Sequence, residues 1–268
     1  MNWSNSRILI ELGINFSIVK KQAVIDDTFY GAMKKFNCPS CGAEVVFQSN
    51  VSVYAVCAFC NSMIVRRDID VEAIGKMAQL PDDMSPLQIG AQGNYQDTNF
   101  YIVGRMKIGW KDGSWNEWYM VFDNGGKGWL AEAQGFYAVC HEYEEPLPAE
   151  AVKTINKLIK LGSPPNEAVS PNKTSQNTMR QEMLGSFLFL NQLKYKIVDV
   201  KSATCIGSEG ELPFVAPNGR KTLTIDLVGI HGEFASIELA KDKTHVYLGR
   251  YVDWNELHLQ NLRLLEDW

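Results

Sequence analysis

Two apolar runs flank a cluster of turn-forming residues in the stretch Tyr119-Met120-Val121-Phe122-Asp123-Asn124-Gly125-Gly126-Lys127-Gly128-Trp129-Leu130. Asparagine and glycine accept the positive φ angles that tight hairpin turns require, so the stretch predicts two antiparallel strands. Similar aromatic runs, separated by Gly, Asn and Asp, continue through residues 87–142. The middle of the chain is therefore predicted to be an antiparallel β unit.

The last third of the chain repeats the spacing of the middle third. Gly90 stands twelve residues before Ile102, and Gly185 stands twelve residues before Ile197. Both isoleucines lie in strand-like apolar runs. We interpret this as two β modules of one design. The alternative is coincidence, because small β units commonly share the spacing of glycine and aromatic residues.

Two CxxC motifs near the start of the chain, Cys38-Pro39-Ser40-Cys41 and Cys57-Ala58-Phe59-Cys60, are separated by fifteen residues. This spacing is typical of a zinc site, since each motif aims two sulfurs at one point and two motifs complete a tetrahedron. Four thiolates leave no position for water, so we predict one structural Zn²⁺ bound by Cys38, Cys41, Cys57 and Cys60. A four-thiolate iron centre has the same spacing and is the alternative.

These patterns divide the chain into six segments: an extension (1–32), a zinc ribbon (33–66), a linker (67–85), a first β module (86–145), a helix with a Ser/Pro linker (146–178) and a second β module (179–268). Residues 1–32 follow no clear period, and we expect them to be poorly ordered or to result from a start codon assigned too far upstream. Helical spacing of apolar residues, ended by Gly162 and two prolines, predicts a helix over 149–161.

Composition excludes several classes of protein. The net charge of −5 and the absence of Lys and Arg between Cys38 and Cys60 argue against nucleic-acid binding. The apolar stretch over residues 8–16 is interrupted by polar residues and is too short to cross a bilayer. It also lacks the features of a signal peptide. We therefore predict a cytoplasmic protein without membrane insertion, in which reduced thiols bind metal.

Several short runs resemble the bacterial domain-of-unknown-function family 4178: Ile89-Gly90-Ala91-Gln92-Gly93, Tyr101-Ile102-Val103-Gly104, Trp115-Asn116-Glu117-Trp118 and Trp129-Leu130 in the first module, with Tyr195-Lys196-Ile197-Val198, Gly210-Glu211-Leu212-Pro213 and Tyr247-Leu248-Gly249-Arg250 in the second. The resemblance covers about residues 33–268. It implies two tandem modules after a cysteine ribbon. It also implies a cellular setting among bacterial envelope-stress systems, which is compatible with peripheral association of the protein with those systems. It implies no activity, because the family has none established.

The predicted fold is thus mainly β: an N-terminal zinc ribbon followed by two related antiparallel β-barrel or sandwich modules with a connecting helix. Residues with a potential role in chemistry are few: Trp110, Trp115, Trp118, Trp129, Glu117, Glu211, Glu233, Cys140, His141, Cys205, His231, His245 and His258. The tryptophans are expected in the core, with an aromatic platform as the alternative. The carboxylates are expected to be hydrogen-bonded at strand ends, with acid–base work as the alternative.

The cysteines and histidines outside the ribbon predict no catalytic set. Cys140 and His141 are adjacent on a strand and point to opposite faces, so they cannot easily act as a nucleophile and base. Cys205 is expected to be a small buried hydrophobe. His231 lies in a turn, and neither His245 nor His258 has a carboxylate at metal-ligand spacing.

The favoured hypothesis is a non-enzymatic adaptor that binds a protein partner through the ribbon and exposed module surfaces. The alternative is a small-molecule-binding or catalytic protein with a pocket between the two modules, lined by aromatic residues and by carboxylates such as Glu117 and Glu211. Nucleic-acid binding through the ribbon ranks last. A deep pocket with converging polar groups would favour the second hypothesis, and a filled barrel would favour the first.

Overall fold

The computed structural model describes residues 33–67, 70–80, 83–162, 183–240 and 243–264, which contain fifteen β-strands, one α-helix and one 3-10 helix. The elements are β1 (Lys34–Asn37), β2 (Glu44–Phe47), β3 (Tyr54–Val56), β4 (Ser62–Arg67), β5 (Asp70–Lys76), β6 (Gln92–Tyr95), β7 (Thr98–Trp110), β8 (Gly113–Phe122), β9 (Lys127–Ala133), β10 (Phe136–Glu142), α1 (Ala149–Gly162), β11 (Phe187–Leu190), β12 (Leu193–Leu212), β13 (Lys221–Gly229), β14 (Glu233–Ala240), β15 (Thr244–Val252) and the 3-10 helix (Trp254–Leu257). The predictions of a mainly β fold and of a helix near residues 149–161 are confirmed. The predicted extension over 1–32 and the Ser/Pro linker after α1 lie outside the described residues.

Eight strands form a closed antiparallel ring in the order β7-β8-β9-β10-β15-β14-β13-β12, with β12 pairing again with β7. At one joint between the halves of the chain, Val139 of β10 pairs with Arg250 of β15. At the other joint, Cys205 of β12 pairs with Ile108 of β7. The strands predicted as two modules therefore lie in one ring. Each half alone would expose unpaired strand edges, and joining the halves removes them.

Each half of the ring begins with the same backbone contact. The Gly90 N–H donates to the carbonyl of Ile102, and the Gly185 N–H donates to that of Ile197, both at 2.8 Å. The two glycines have φ angles of 86° and 85°, a region that residues with a Cβ atom rarely adopt. The twelve-residue spacing in the sequence thus corresponds to one hydrogen bond that both halves share.

Glycines allow the strands to approach closely at the two joints of the ring. A Cβ atom on Gly249 of β15 would lie 1.9 Å from the carbonyl oxygen of Val139 on β10. A Cβ atom on Gly104 of β7 would lie 1.9 Å from the carbonyl oxygen of Glu211 on β12. No larger residue fits at these separations, so closure of the ring depends on both glycines.

The cysteine-rich segment continues the same sheet instead of standing apart from it. Strand β12 extends beyond its pairing with β7, and Leu212 pairs there with Tyr54 of β3. Strands β4 and β5 follow β3 outward to the sheet edge. Strand β5 occupies part of the predicted linker over 67–85. Its exposed charges, Asp70 and Glu72, resemble a linker in composition, but they alternate with half-buried Val71 and Ala73 as on an edge strand.

Alternating side chains separate the inner and outer faces of the ring. The inner face forms one apolar cluster with Tyr54 and Leu212 at the end next to β3. The outer face is covered on one side by α1 and β11, through Ile155 and Leu188. On another side it is covered by residues near Leu87 and by the 3-10 helix. Within the described residues, no helix is long and apolar enough to cross a bilayer.

Candidate functional site

The four cysteines predicted as metal ligands come together at one point. Their Sγ atoms all lie within 4.8 Å of one another. The Cys38–Cys60 and Cys41–Cys57 sulfur pairs are 3.7 and 3.8 Å apart, and none of the four forms a disulfide. A tetrahedral ion with metal–sulfur bonds of about 2.3 Å requires sulfur–sulfur distances of about 3.8 Å. The cluster can therefore hold one metal ion, and in the part of the chain described it is the only group of this kind.

The two CxxC turns have matching backbone geometry. The Cys38 carbonyl accepts from the Gly42 N–H and the Cys57 carbonyl accepts from the Asn61 N–H, each at 2.9 Å. Gly42 and Asn61 both have positive φ angles, of 77° and 57°. Asparagine tolerates this left-handed conformation better than most residues. Gly42 and Asn61 each directly follow the second cysteine of a CxxC motif, so they occupy equivalent positions in the two turns.

Two thiols of the cluster have pKa values that are shifted in opposite directions. Hydrogen bonds from the hydroxyl and backbone of Ser62 lower the pKa of Cys60 to about 6. A backbone hydrogen bond from Ala43 lowers the pKa of Cys41, but hydrogen bonding with neighbouring cysteines and burial outweigh it and raise the value to about 12. A thiolate is the form that binds metal, so a cation at this point would complete the charge balance of the cluster.

Glu211 attaches the cysteine-rich segment to the barrel. Its carboxylate accepts hydrogen bonds from the backbone N–H groups of Gln48 at 2.8 Å and Ser49 at 3.1 Å. Arg66 donates to the Ser49 carbonyl at 3.3 Å, on the same loop. Burial raises the pKa of Glu211. Glu211 is thus a hydrogen-bonded carboxylate at the end of β12, and it lies away from the pocket that the sequence associated with it.

A cavity of about 1230 Å³ extends from the inner face of the ring to the surface, at the end opposite the cysteines. Residues near the β9–β10 turn and the 3-10 helix surround the opening. Aromatic residues supply much of its wall: Trp110, Trp115, Trp129, Phe234, Tyr247 and Tyr251. Polar and charged residues also line it: Glu117, Lys201, Thr224, Asp226, Ser236 and Glu238. We call this cavity the lumen.

Two carboxyl groups in the lumen have strongly raised pKa values. The side chain of Glu117 is partly accessible from the open lumen. Burial in the barrel wall nevertheless raises its pKa to about 7. A hydrogen bond from Trp115 Nε1, at 2.8 Å, lowers the pKa and so opposes the effect of burial. Burial and then the charge of Glu117 raise the pKa of Glu238 to about 8. Among the described residues, no hydrogen-bond donor contacts the Glu238 carboxyl group. Such perturbed carboxyl groups in a cleft are typical of functional sites.

Lys201 is held at the lumen wall by two carboxylates and two aromatic rings. Its Nζ atom lies 2.8 Å from a carboxylate oxygen of Asp199 and 2.8 Å from one of Asp226. The same atom lies 5.1 Å from the ring centre of Trp115 and 5.7 Å from that of Trp110. Cation–π attraction therefore adds to the ion pairs. The attraction of Asp226 and Asp199 raises the pKa of Lys201 despite burial.

The predicted tryptophans divide between the two faces of the ring. Trp115 and Trp129 line the lumen, and Trp110 lies at its rim. Trp118 points outward into the core beneath the 3-10 helix, where its Nε1 atom donates to Glu132 at 2.9 Å. The sequence could not distinguish a filled core from an aromatic wall, because both place aromatic residues on alternate strand positions.

The other cysteines and histidines have structural surroundings. Cys140 is buried facing the lumen, whereas His141 is exposed and donates from Nδ1 to the Lys127 carbonyl at 2.7 Å. The two side chains therefore cannot meet, as predicted. Cys205 is buried in the inner cluster. His245, also buried, pairs with the Glu142 carboxylate at 2.9 Å. That partner is 103 residues away in sequence and no local spacing could reveal it.

Three further residues that the sequence analysis singled out, Glu233, His231 and His258, lie in or next to turns. The Glu233 carboxylate accepts from the His231 backbone N–H at 3.0 Å across the β13–β14 turn. His258 follows the 3-10 helix with a left-handed φ of 45°. Sequence reasoning missed Lys201, Asp226 and Glu238. The available signal was the recurrence of polar residues at every second position of apolar strands, as in Thr224-Ile225-Asp226 and Ser236-Ile237-Glu238.

Comparison with known proteins gives one family match. The model of the family described as Domain of unknown function (DUF4178) matches residues 88–254. This single match runs from the first hairpin of the ring through its last strand, and so includes both halves. Comparisons with curated proteins and with solved structures find no match.

We expect the free protein to lose stability as the pH rises from about 4.5, the ordinary pKa of a glutamate, to about 8. The folded pKa values of Glu117 and Glu238 lie above their ordinary value of 4.5. Both groups are neutral in the folded and unfolded states at low pH, whereas above their folded pKa values the fold must bury charge. Glu238→Gln should therefore raise the free energy of unfolding at pH 8.5 by on the order of 2 kcal/mol and have little effect at pH 4.

Urea unfolding across this pH range measures the effect. Glu72→Gln removes a carboxylate from the exposed edge strand β5, where Glu72 pairs with Arg67, and should follow the wild-type curve. Parallel pH curves for the wild type and Glu238→Gln would contradict the expectation.

Proposed function

Since the chain belongs to the family described as Domain of unknown function (DUF4178), we propose a function from its own geometry: the lumen of the barrel binds a small organic molecule. The open lumen is the observation that carries this proposal. Eight-stranded barrels either fill their interior with side chains or hold one small ligand. A cavity of about 1230 Å³ with a wide opening supports the second arrangement.

The lining of the lumen also supports ligand binding. Apolar aromatic walls supply contact area, and a few polar groups, including Glu117, Asp226 and Glu238, can fix the orientation of a ligand. The lumen thiol of Cys140 does not favour covalent catalysis, because burial raises its pKa well above the ordinary range and keeps it protonated. We therefore propose binding without a covalent step.

The cysteine cluster, in this proposal, holds one structural Zn²⁺. Four sulfur ligands at tetrahedral spacing fill the coordination shell of zinc and leave no position for a substrate. The core of the ribbon is small, with Phe47, Ile64 and two of the cysteines among its few buried residues. Metal binding would therefore supply much of the folding free energy of this segment. Reduced thiols in the bacterial cytoplasm fit this role.

A protein adaptor is the second candidate, and one residue of the second CxxC turn favours it. Phe59 lies between Cys57 and Cys60 and is 78% exposed. A metal-bound turn would hold this ring rigidly in solvent, which lowers the entropy cost of inserting it into an apolar pocket of a partner. The partner would be a protein, in line with a bacterial envelope-stress setting.

Filling the lumen should abolish small-molecule binding. Ala131 lines the lumen, and Ala131→Trp places an indole in it. A metabolite that stabilises the wild type by about 2.7 kcal/mol at 100 times its Kd should give no stabilisation in this variant. Ala78→Trp, at an exposed position, should respond like the wild type. A thermal-unfolding screen of fractionated bacterial metabolites measures this, and full stabilisation of Ala131→Trp, or a screen without any stabilising metabolite, would reject the proposed function.

The metal proposal predicts one zinc ion per chain by elemental mass spectrometry. Cys41→Ser should lose the ion and increase hydrogen exchange in β1–β5, while the ring strands stay protected. Cys205→Ala alters a cysteine of the barrel core and should retain the metal. Iron in place of zinc, or unchanged exchange in the ribbon after chelation, would show the proposal to be wrong.

The adaptor proposal predicts that a protein partner depends on Phe59. In cross-linking capture from the native bacterium, Phe59→Ser should lose a partner that the wild type enriches. Ile230→Ser is the matched control, since Ile230 is 74% exposed in the β13–β14 turn, and it should retain that partner. Equal recovery with both variants would exclude recognition through the ribbon.

A further inference from the structure

We propose that the ligand of the lumen is an organic cation whose ammonium or guanidinium group binds between Glu117 and Glu238. This inference rests on the proposed lumen site and names the chemical class of its ligand. It is carried by three features of the lumen wall: two carboxyl groups without a cationic partner, a buried hydroxyl without a partner, and an internal lysine that already occupies an equivalent environment.

The lumen contains more carboxyl groups than cationic groups. Glu117, Asp226 and Glu238 line it together with Lys201. Lys201 is engaged by Asp226 and by Asp199. In the described residues, neither Glu117 nor Glu238 has a cation within ion-pair distance. Arg220 attracts both carboxyl groups from a distance while its guanidinium lies over the ring of Phe214.

Thr224 provides an independent indication of a missing polar partner. It lines the lumen and is 4% exposed, and its Oγ1 atom has no hydrogen-bond partner among the described residues. In the sheet register Thr224 lies between Lys201 and Glu238. An unpaired buried hydroxyl is costly. Oxygen acceptors from Glu238, Thr224 and Glu117 are together best satisfied by a ligand that donates several N–H bonds, as an ammonium or guanidinium does.

Lys201 shows that this wall can hold an ammonium group. Its Nζ atom combines carboxylate contacts at 2.8 Å with the face of the Trp115 ring at 5.1 Å. Trp115 also donates its Nε1 hydrogen to Glu117. One indole therefore borders both the occupied ammonium position and the carboxylate without a cation. Cation–π attraction in a partly desolvated site adds to the ion pair.

The arrangement fits an organic cation better than a bare metal ion. Hard divalent ions require several oxygen ligands that converge on one point. Within the described ranges, the only side-chain group spaced to hold a metal is the cysteine cluster, so the lumen carboxylates are too widely spread. Apolar residues such as Trp129, Phe234 and Tyr247 would contact the body of an organic ligand.

Titration of the lumen gives the inference a second readout. Glu117 and Glu238 have pKa values of about 7 and about 8 in the free protein. A bound cation stabilises their ionised forms, so binding should release protons and strengthen as the pH rises from 6 to 8. Other titratable or charged groups near them are Asp226, Lys201, Arg220, Glu142, His245, Cys140 and Tyr247. Burial keeps Cys140 and Tyr247 neutral in this range.

Isothermal titration calorimetry with the full chain tests the proposal. The probes are phenethylamine, the neutral 2-phenylethanol, the anionic 3-phenylpropionate and the dication p-xylylenediamine, which share an aromatic ring and differ in charge. We expect the amines to bind at least about tenfold more tightly than the neutral and anionic probes at pH 8. We also expect net proton release, measured in buffers of different ionisation enthalpy.

Two lumen variants and one control identify the residues. Glu238→Gln should weaken amine binding about tenfold and reduce the proton release. Thr224→Val keeps the side-chain shape but removes the hydroxyl, so it should also weaken amine binding. It provides a second test if Glu238→Gln folds poorly. Glu72→Gln, on the exposed edge strand, should bind amines like the wild type.

The possible outcomes test the chemical class of the ligand separately from the existence of the lumen site. Tight binding of the alcohol or the acid, abolished by Ala131→Trp, would overturn the cationic class and leave the lumen site intact. Amine binding that survives both lumen variants would overturn the assignment to Glu238 and Thr224. Failure of every probe to bind at pH 8 would overturn the cation proposal. The proposed function would then still be decided by the thermal-unfolding screen of metabolites with the wild type and Ala131→Trp.

Discussion

The closed pairing of β12 with β7 is the interaction on which the other features of the structure depend. Thr204 of β12 pairs with Lys221 of β13 on one side and with Gly109 of β7 on the other. At this point the second half of the chain meets the first, and the ring becomes continuous. Without that pairing, the eight strands would form one open sheet with unpaired edges on β7 and β12. A lumen exists because the ring is closed.

Closure also explains why charged groups can remain inside the barrel. Hydrogen-bonded strands fix the wall, so the lumen cannot collapse around Glu117 and Glu238 when a ligand is absent. Those groups respond by retaining their protons near neutral pH, as their pKa values of about 7 and about 8 show. Burying three carboxyl groups near one lysine costs stability. Such a cost is typical of sites selected for binding rather than for stability.

Local patterns allowed the sequence to predict local structure. The spacing of Cys38, Cys41, Cys57 and Cys60 predicted the cluster because each CxxC turn forms from adjacent residues, and the Asn-Gly signal within 119–130 predicted a hairpin for the same reason. Ring closure joins residues about a hundred positions apart, such as Ile108 and Cys205, and no periodicity encodes such a pairing. The lumen carboxylates were missed because their partners come from different strands.

The cysteine-rich segment and the lumen are parts of one architecture. Tyr54 of β3 is fully buried in the inner cluster of the ring, and its hydroxyl lies 3.3 Å from that of Ser208 on β12. The segment therefore closes the end of the barrel opposite the opening, while Glu211 holds its loop in place. The same strand carries Lys201 at the lumen and Glu211 at the ribbon. Metal at the cysteines would thus stabilise the floor of the lumen, because Tyr54 lies only three residues from Cys57.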